Sequence, residues 1–276
     1  MRSSLVGSEM CIRDSLFGAG SAGAAIAVKE WLERTGTPGT IQFFGTPAEE
    51  GGSGKVYMVR AGLFDDVDTV IHWHPSSVNA ADSASTLANR SAKFTFSGVS
   101  SHAASAPDRG RSALDAVEAM NFMVNLLREH VPTSTRLHYV ITNGGSAPNV
   151  VPNTAQSFYY VRHPNETTLR EIWDRVMATA EAAAVGTGTS MSYEIIHGNY
   201  SVLPNDTLAK VMHAKLSSVG GVEYSEADEV FAAEISRTLP TGAYTKGRAA
   251  EIKPFETGQR GNGSTDVGDV SWTVPT

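Results

Sequence analysis

Four short segments hold side chains whose type and spacing could do chemistry. The first is Thr46-Pro-Ala-Glu-Glu-Gly-Gly52, in which two carboxylates, Glu49 and Glu50, stand side by side after an apolar run. Neighbouring side chains in non-helical backbone point in different directions. One could hold a metal while the other faces a substrate as a general base. By itself the pair reads better as a solvated acidic turn, the usual state of glutamate. The second segment is Ile71-His-Trp-His-Pro75. His72 and His74 share a face if this stretch is a strand. His74, the last residue before the breaking proline, is the ligand candidate, and His72 reads as a structural histidine. Carboxylate and imidazole together make an oxygen and nitrogen donor set suited to zinc or manganese. The third segment, Gly98-Val-Ser-Ser-His-Ala-Ala104, puts His102 in a loop of small residues that lets a ligand or another backbone come close. The fourth group is Pro148-Asn149-Val-Val-Pro-Asn153 with Arg162. An arginine at a strand end suits bidentate carboxylate binding, although for a lone arginine a surface ion pair is the better reading.

Other patterns are weaker. Gly18-Ala-Gly-Ser-Ala-Gly23 matches the dinucleotide fingerprint, but Arg13-Asp-Ser15 before it is too polar for the strand that the motif needs. A small-residue helix start packed closely on a sheet is the better reading. Gly51-Gly-Ser-Gly-Lys55 lacks the leading glycine and the hydroxyl of a phosphate loop: those positions hold Glu49 and Val56. No G-x-S-x-G elbow occurs, and Cys11 has no setting for a nucleophile.

These residues need elements to position them. Ser21–Arg34 has helical apolar spacing, with Gly36 at its C-terminal end. Residues 41–44 and 67–74 read as buried strands, and 55–61 between them as a helix closed by Gly62. Strand, helix and strand in about 35 residues predict a βαβ unit and a parallel sheet. Glu49 and Glu50 would then sit at the C-terminal end of a strand, where open α/β sheets place their ligand sites. Residues 89–200 change rhythm. Strands at 92–96, 137–142, 157–161 and 191–196 alternate with helices at 112–130 and 165–185, with Gly186 as the second helix's stop. That order, β-α-β-β-α-β, is the ferredoxin-like pattern. It predicts a compact lid inserted into the first domain. Leu208–Ser218 reads as a further helix, and 241–264 as a long functional loop.

Composition excludes several classes. Of 276 residues, 22 are Lys or Arg and 29 Asp or Glu, so the net charge of −7 disfavours nucleic-acid partners. The 41% apolar and 18% charged content is ordinary for a globule with a real core. No apolar run is long enough for a membrane span or a secretory signal. With one cysteine there is no internal disulfide, and a reducing, cytoplasmic setting is expected.

Taken together, FGAGSAGAAIAVKEWL, GTPAEEGGSGK, HWHP, GVSSHAAS, NVVPN, YYVRHP and GSTDVGDVSW resemble, in order and interval, the M20 metallopeptidase family of amidohydrolases. The likeness is to its aminobenzoyl-glutamate utilisation subgroup. The resemblance covers residues 16–276. It implies an α/β catalytic domain with an inserted ferredoxin-like α+β lid that dimerises. It also implies two divalent metal ions, zinc or manganese, and hydrolysis of an amide bond in a small N-acyl or aminobenzoyl-glutamate-like substrate. By resemblance Glu49 matches the general base, and Glu50 and His74 match metal ligands. His102 matches a lid histidine that reaches an active site across the dimer and stabilises the oxyanion. Asn149 and Arg162 match lid positions linked to the substrate's carboxylate. Further ligands of the family stand just before LFGAG, where this chain has Cys11-Ile-Arg-Asp-Ser15, and beyond Thr276.

The expected organisation follows. Residues 1–15 are a non-native leader, 16–88 the first catalytic part, 89–200 the lid, and 201–276 the second catalytic part. The chain is expected to be cut at both ends, with the remaining ligands outside it. Its expected partners are the small amide substrate and a second lid, in a homodimer or hetero-oligomer. The alternative is an inactive fragment that keeps only lid-mediated dimerisation.

Overall fold

The computed structural model describes residues 5–239 and 245–276, with side chains from residue 15 onward. Its architecture is mixed α/β, with a four-stranded antiparallel sheet and a two-stranded parallel one.

The lid is built from β2 (Ala88–Ser97), α3 (Ala113–Leu127), β3 (Arg136–Asn143), β4 (Thr154–His163), α4 (Glu166–Thr187) and β5 (Ser190–Asn199). Its strands lie in the order β3-β4-β2-β5, all antiparallel, which is the ferredoxin-like arrangement. Ser112 caps α3 by accepting from the amide of Asp115 at 3.1 Å, and Asn165 caps α4 by accepting from Thr168 at 2.9 Å. Both helices lay an apolar stripe on one sheet face: Ala116, Val117, Met120 and Val124 from α3, and Leu169, Ile172, Trp173 and Val176 from α4. These meet Phe94, Phe96, Tyr159 and Val161 in one continuous core. A polar group inside it is satisfied internally: Tyr159 and Ser157 both donate to Asn121 Oδ1. The helix α4 runs past Gly186 and stops at Gly188, whose φ of 66° supplies the left-handed cap.

The rest of the chain is less regular. The helix α1 (Leu5–Thr35) is continuous for 31 residues and ends, as its glycine predicts, at Gly36 with φ 63°. Then come α2 (Gly54–Arg60), β1 (Ser83–Ser85), α5 (Asp206–Val219), α6 (Glu226–Ser236), β6 (Thr257–Arg260) and α7 (Val267–Ser271). The parallel pair is β1 with β6. A small second core of Phe64, Val270 and Val274 packs with Phe44, Met58 and Val70, joining α2 to α7. No described helix is long and apolar enough to cross a membrane.

Two expectations fail here. The strands expected at 41–44 and 67–74 do not form, so no βαβ unit frames Glu49 and His74. Neither segment has a ladder partner among the described residues, and Phe43 and Ile71 are 54% and 68% exposed. An apolar run provides a strand's side chains but not the neighbour that its backbone needs. The Gly18–Gly23 segment lies in the middle of α1 and not at the helix start expected of it, and it has no strand-to-helix turn for a pyrophosphate either. Of its three glycines only Gly20 serves packing, since a Cβ there would stand 2.7 Å from the Trp73 indole, whereas a Cβ on Gly18 or Gly23 would meet open space. The expected loop at 241–264 contains β6, and its first four residues lie outside the described ones.

Candidate functional site

The turn bearing Glu49 and Glu50 lies between two residues with left-handed backbone. Ala48 has φ 62° and Ser53 φ 50°, uncommon for residues with a Cβ. Such strain persists only where the surroundings over-determine it. Here they do. Gly52 donates to Ala48 O at 2.9 Å, and Gly54 admits no Cβ, since one would stand 2.1 Å from Pro47 O. Just past the turn, Lys55 binds Asp266 twice. Its amide donates to Oδ2 at 2.9 Å and its ammonium to Oδ1 at 2.8 Å. The Asp266 side chain is fully buried and that of Lys55 is 13% exposed. Ser53, 3% exposed, reaches His197 Nδ1 on β5 of the lid at 3.3 Å. Glu49 is half-buried and Glu50 exposed.

The His72–His74 segment is tied to α1. The rings of Trp73 and His74 lie 5.2 and 5.3 Å from that of Phe17, and Trp73 Nε1 donates to Ser21 at 3.2 Å. Desolvation holds His72 below the ordinary imidazole range, helped by the charges of Lys55 and His74. His74 Nδ1 lies 2.7 Å from Pro75 O. A carbonyl can only accept, so Nδ1 carries the proton and Nε2 keeps its lone pair, as a metal-ligating histidine requires. The donor chemistry of Glu50 and His74 therefore fits a divalent cation. Among the described residues, however, no three His, Cys, Asp or Glu side chains form a metal-sized group.

His102 and Asn149 come together at the far end of the lid. Ala103 donates to Asn149 O at 3.0 Å, Val151 to Ser101 O at 3.0 Å, and His102 bridges Val150. Val99 and Arg111 exchange amide bonds beside them, and a Cβ on Gly98 would stand 1.9 Å from Arg111 O. His102 Nδ1 accepts from the amides of Ala104 and Ser105, each at 3.2 Å. The neutral ring is thus held as the Nε2–H tautomer, an exposed donor. Arg162 sits at the opposite end of β4, on the sheet face away from the helices, beside Tyr160. Nine residues of strand at about 3.3 Å each put roughly 30 Å between Asn153 and Arg162. One copy of the chain therefore cannot bring His102 or Asn149 to the same small molecule as Arg162.

Asp266, Lys55, Ser53 and His197 are not among the candidates that the sequence offers. The Lys55–Asp266 pair spans 211 positions, and no local pattern announces it. For His197 the only signal is its place on an inserted strand.

Three histidines here resist protonation. His72 and His197 do so chiefly through desolvation. His138 does so through desolvation and then the charges of Arg162, Arg128 and Arg136. In the unfolded chain each takes a proton near pH 6.5. Below that pH the unfolded state binds more protons than the native one, so stability falls with acidification and is regained above it. The urea midpoint is expected to be lower at pH 5.5 than at pH 7.5, and the difference to shrink in His197→Gln. A flat profile would contradict these environments.

A family model described as the peptidase dimerisation domain, of M20 type, matches residues 87–188. One of the two p-aminobenzoyl-glutamate hydrolase subunits of Escherichia coli (strain K12) is 42% identical over 286 residues, covering 95% of this chain and 60% of its own length. The Xaa-Arg dipeptidase of Mus musculus is 31% identical over 255 residues, covering 91% of this chain and 52% of its own. The chain thus spans between half and two thirds of those relatives. The crystal structure of an aminobenzoyl-glutamate utilization protein from Klebsiella pneumoniae superposes with TM-score 0.50 at 22% identity, over 76% of this chain and 55% of that one.

Proposed function

Because the chain belongs to the M20 amidohydrolases and carries their dimerisation domain at residues 87–188, we propose that it works in hydrolysis of an amide bond in a small N-acyl or aminobenzoyl-glutamate-like substrate. The observation that supports this best is the Glu49–Glu50 turn. Its backbone is strained at Ala48 and Ser53, and it runs into the buried Lys55–Asp266 pair, whose lysine charge also acts on His72.

In this reading Glu49 is the general base. It takes a proton from the attacking water as the C–O bond forms. It then delivers that proton to the amine nitrogen as the C–N bond breaks. Glu50 and His74 contribute to a site for divalent metal, zinc or manganese, whose remaining ligands lie elsewhere. When bound, such an ion supplies a water of lowered pKa. Arg162 receives the substrate's carboxylate. His102, with Nε2–H presented outward, donates to the oxyanion. Since His102 and Asn149 lie far from Arg162 in one copy, they serve the site of a second lid-paired copy. That copy is the same chain or a related subunit, since the E. coli relative is named as one subunit of a hydrolase.

The test is hydrolysis of N-acylated glutamates by the purified protein. Glu49→Gln is expected to lower turnover by about 10²–10⁴-fold, the usual worth of a general base, with little change in substrate affinity. Undiminished turnover would remove the assignment. A second reading has the chain competent only in lid-mediated dimerisation. The lack of a three-donor group among the described residues favours it. A protein that sediments as a dimer yet binds neither zinc nor manganese would establish that reading.

A further inference from the structure

Three polar atoms on the lid's open sheet face are buried without a hydrogen-bond partner: Arg162 Nε, Asn89 Oδ1 and His197 Nε2. The strand register sets them side by side. Asn89 stands opposite Arg162, and Ser91 lies between Tyr160 on one side and His197 on the other. The Tyr160 ring contacts both neighbours, the Arg162 cation and the neutral His197 ring. The Arg162 guanidinium lies 5.5 Å from its centroid, and the His197 ring meets it edge-on at 5.1 Å.

The protonation of His197 follows from its other nitrogen. The Ser53 hydroxyl is buried, and its only partner among the described residues is His197 Nδ1 at 3.3 Å. If Nδ1 carried the proton, both that hydroxyl's hydrogen and Nε2 would be left without partners. The hydroxyl therefore donates to Nδ1, and Nε2 bears the hydrogen. Two N–H donors, one of them on a guanidinium, thus flank one aromatic ring, and the neighbouring acceptor, Asn89 Oδ1, bonds to neither. Among the described residues no carboxylate pairs with Arg162: the ion pairs there are Lys29–Glu33 and Lys55–Asp266. A buried unmade hydrogen bond is costly, and a bound acceptor would relieve two at once.

We infer that Arg162 and His197 are two arms of one carboxylate site, donating from Nε and Nε2, with the Tyr160 ring as a cover that turns aside on binding. The ligand class is the carboxylate of an N-acylated amino acid. The inference rests on the proposed role of Arg162 and adds to it a second donor and a moving cover. The Ser53 contact places that donor on the backbone that follows Glu49 and Glu50, so the same histidine orients the acid end of the ligand and touches the catalytic turn.

Calorimetric titration of the purified protein with N-acetyl-L-glutamate tests this, with N-acetyl-L-glutamine amide as the uncharged control. The acid is expected to bind and the amide not. Charge-assisted hydrogen bonds of this kind predict about tenfold to hundredfold weaker binding in His197→Ala. His197→Gln, which keeps an N–H donor, should recover part of it, and circular dichroism confirms that each variant is folded. Arg162→Ala should lose binding altogether. If both His197 variants bind as tightly as the native protein while Arg162→Ala does not, the inference fails and the role of Arg162 stands. If the native protein does not distinguish acid from amide, both fail.

Discussion

Mixing two inactive variants, Glu49→Gln and His102→Ala, is expected to restore turnover. The prediction follows from the length of β4. His102 is held on a ribbon at one end of the lid, while Ser53, Thr265 and Asp269 contact the lid at the other end, through His197, Asn199 and Tyr200. Roughly 30 Å of strand separates the two ends. A histidine so placed cannot swing back, because backbone bonds from Ala103, Val151 and Val99 fix its loop on both sides. If it acts, it acts on a second copy. In a mixed pair with two-fold symmetry, the copy with native Glu49 receives native His102 from its neighbour, so one of the two sites is whole. With equal amounts and free exchange, about half of the pairs are mixed, and about one quarter of native turnover should return. Activity that stays at the level of the separate variants would show that the histidine serves its own copy or does nothing.

The second large effect is on stability. Replacing Lys55 by Met leaves the fully buried Asp266 carboxylate with one backbone amide and no counter-charge. Breaking a buried pair from one side typically costs about 3–5 kcal/mol, because the remaining charge is not resolvated. A large fraction of a typical domain's stability would be lost, and the loss should centre on α2, α7 and the Glu49–Glu50 turn between them. Urea denaturation monitored by Trp272 fluorescence and by far-ultraviolet dichroism measures it. The double variant Lys55→Met/Asp266→Leu removes both charges and is expected to recover much of the loss. If the single variant unfolds at the native midpoint, the pair does not hold the turn.

How far the sequence is readable varies along the chain for a physical reason. In the lid, α3, α4 and all four strands are visible in periodicity, because each buries one face against a neighbour close in sequence. Ser112 and Asn165 mark the helix starts, and the structure uses both as caps. The start of α6 carries an equally plain signal, Ser225-x-x-Asp228, and there too the structure builds a capping box. Around Glu49 the pattern misleads. Ile41–Phe44 has the composition of a buried strand, but a strand is a property of two segments. Likewise, the chemistry of Glu49, Glu50 and His74 is legible as residue types. The groups that fix them, Asp266 and His197, come from more than 120 positions away and carry no signature of that task.

The span of 211 positions between Lys55 and Asp266 also sets an order of assembly. Every strand pairing of the lid closes within residues 88–199, so the lid can fold on contacts made entirely within itself. The Lys55–Asp266 pair that follows the Glu49–Glu50 turn cannot form until Asp266 has docked, an event that closes a loop enclosing the entire lid. During synthesis the lid can emerge and fold before that pair exists. The candidate turn therefore gains its buried anchor last, against a lid already built.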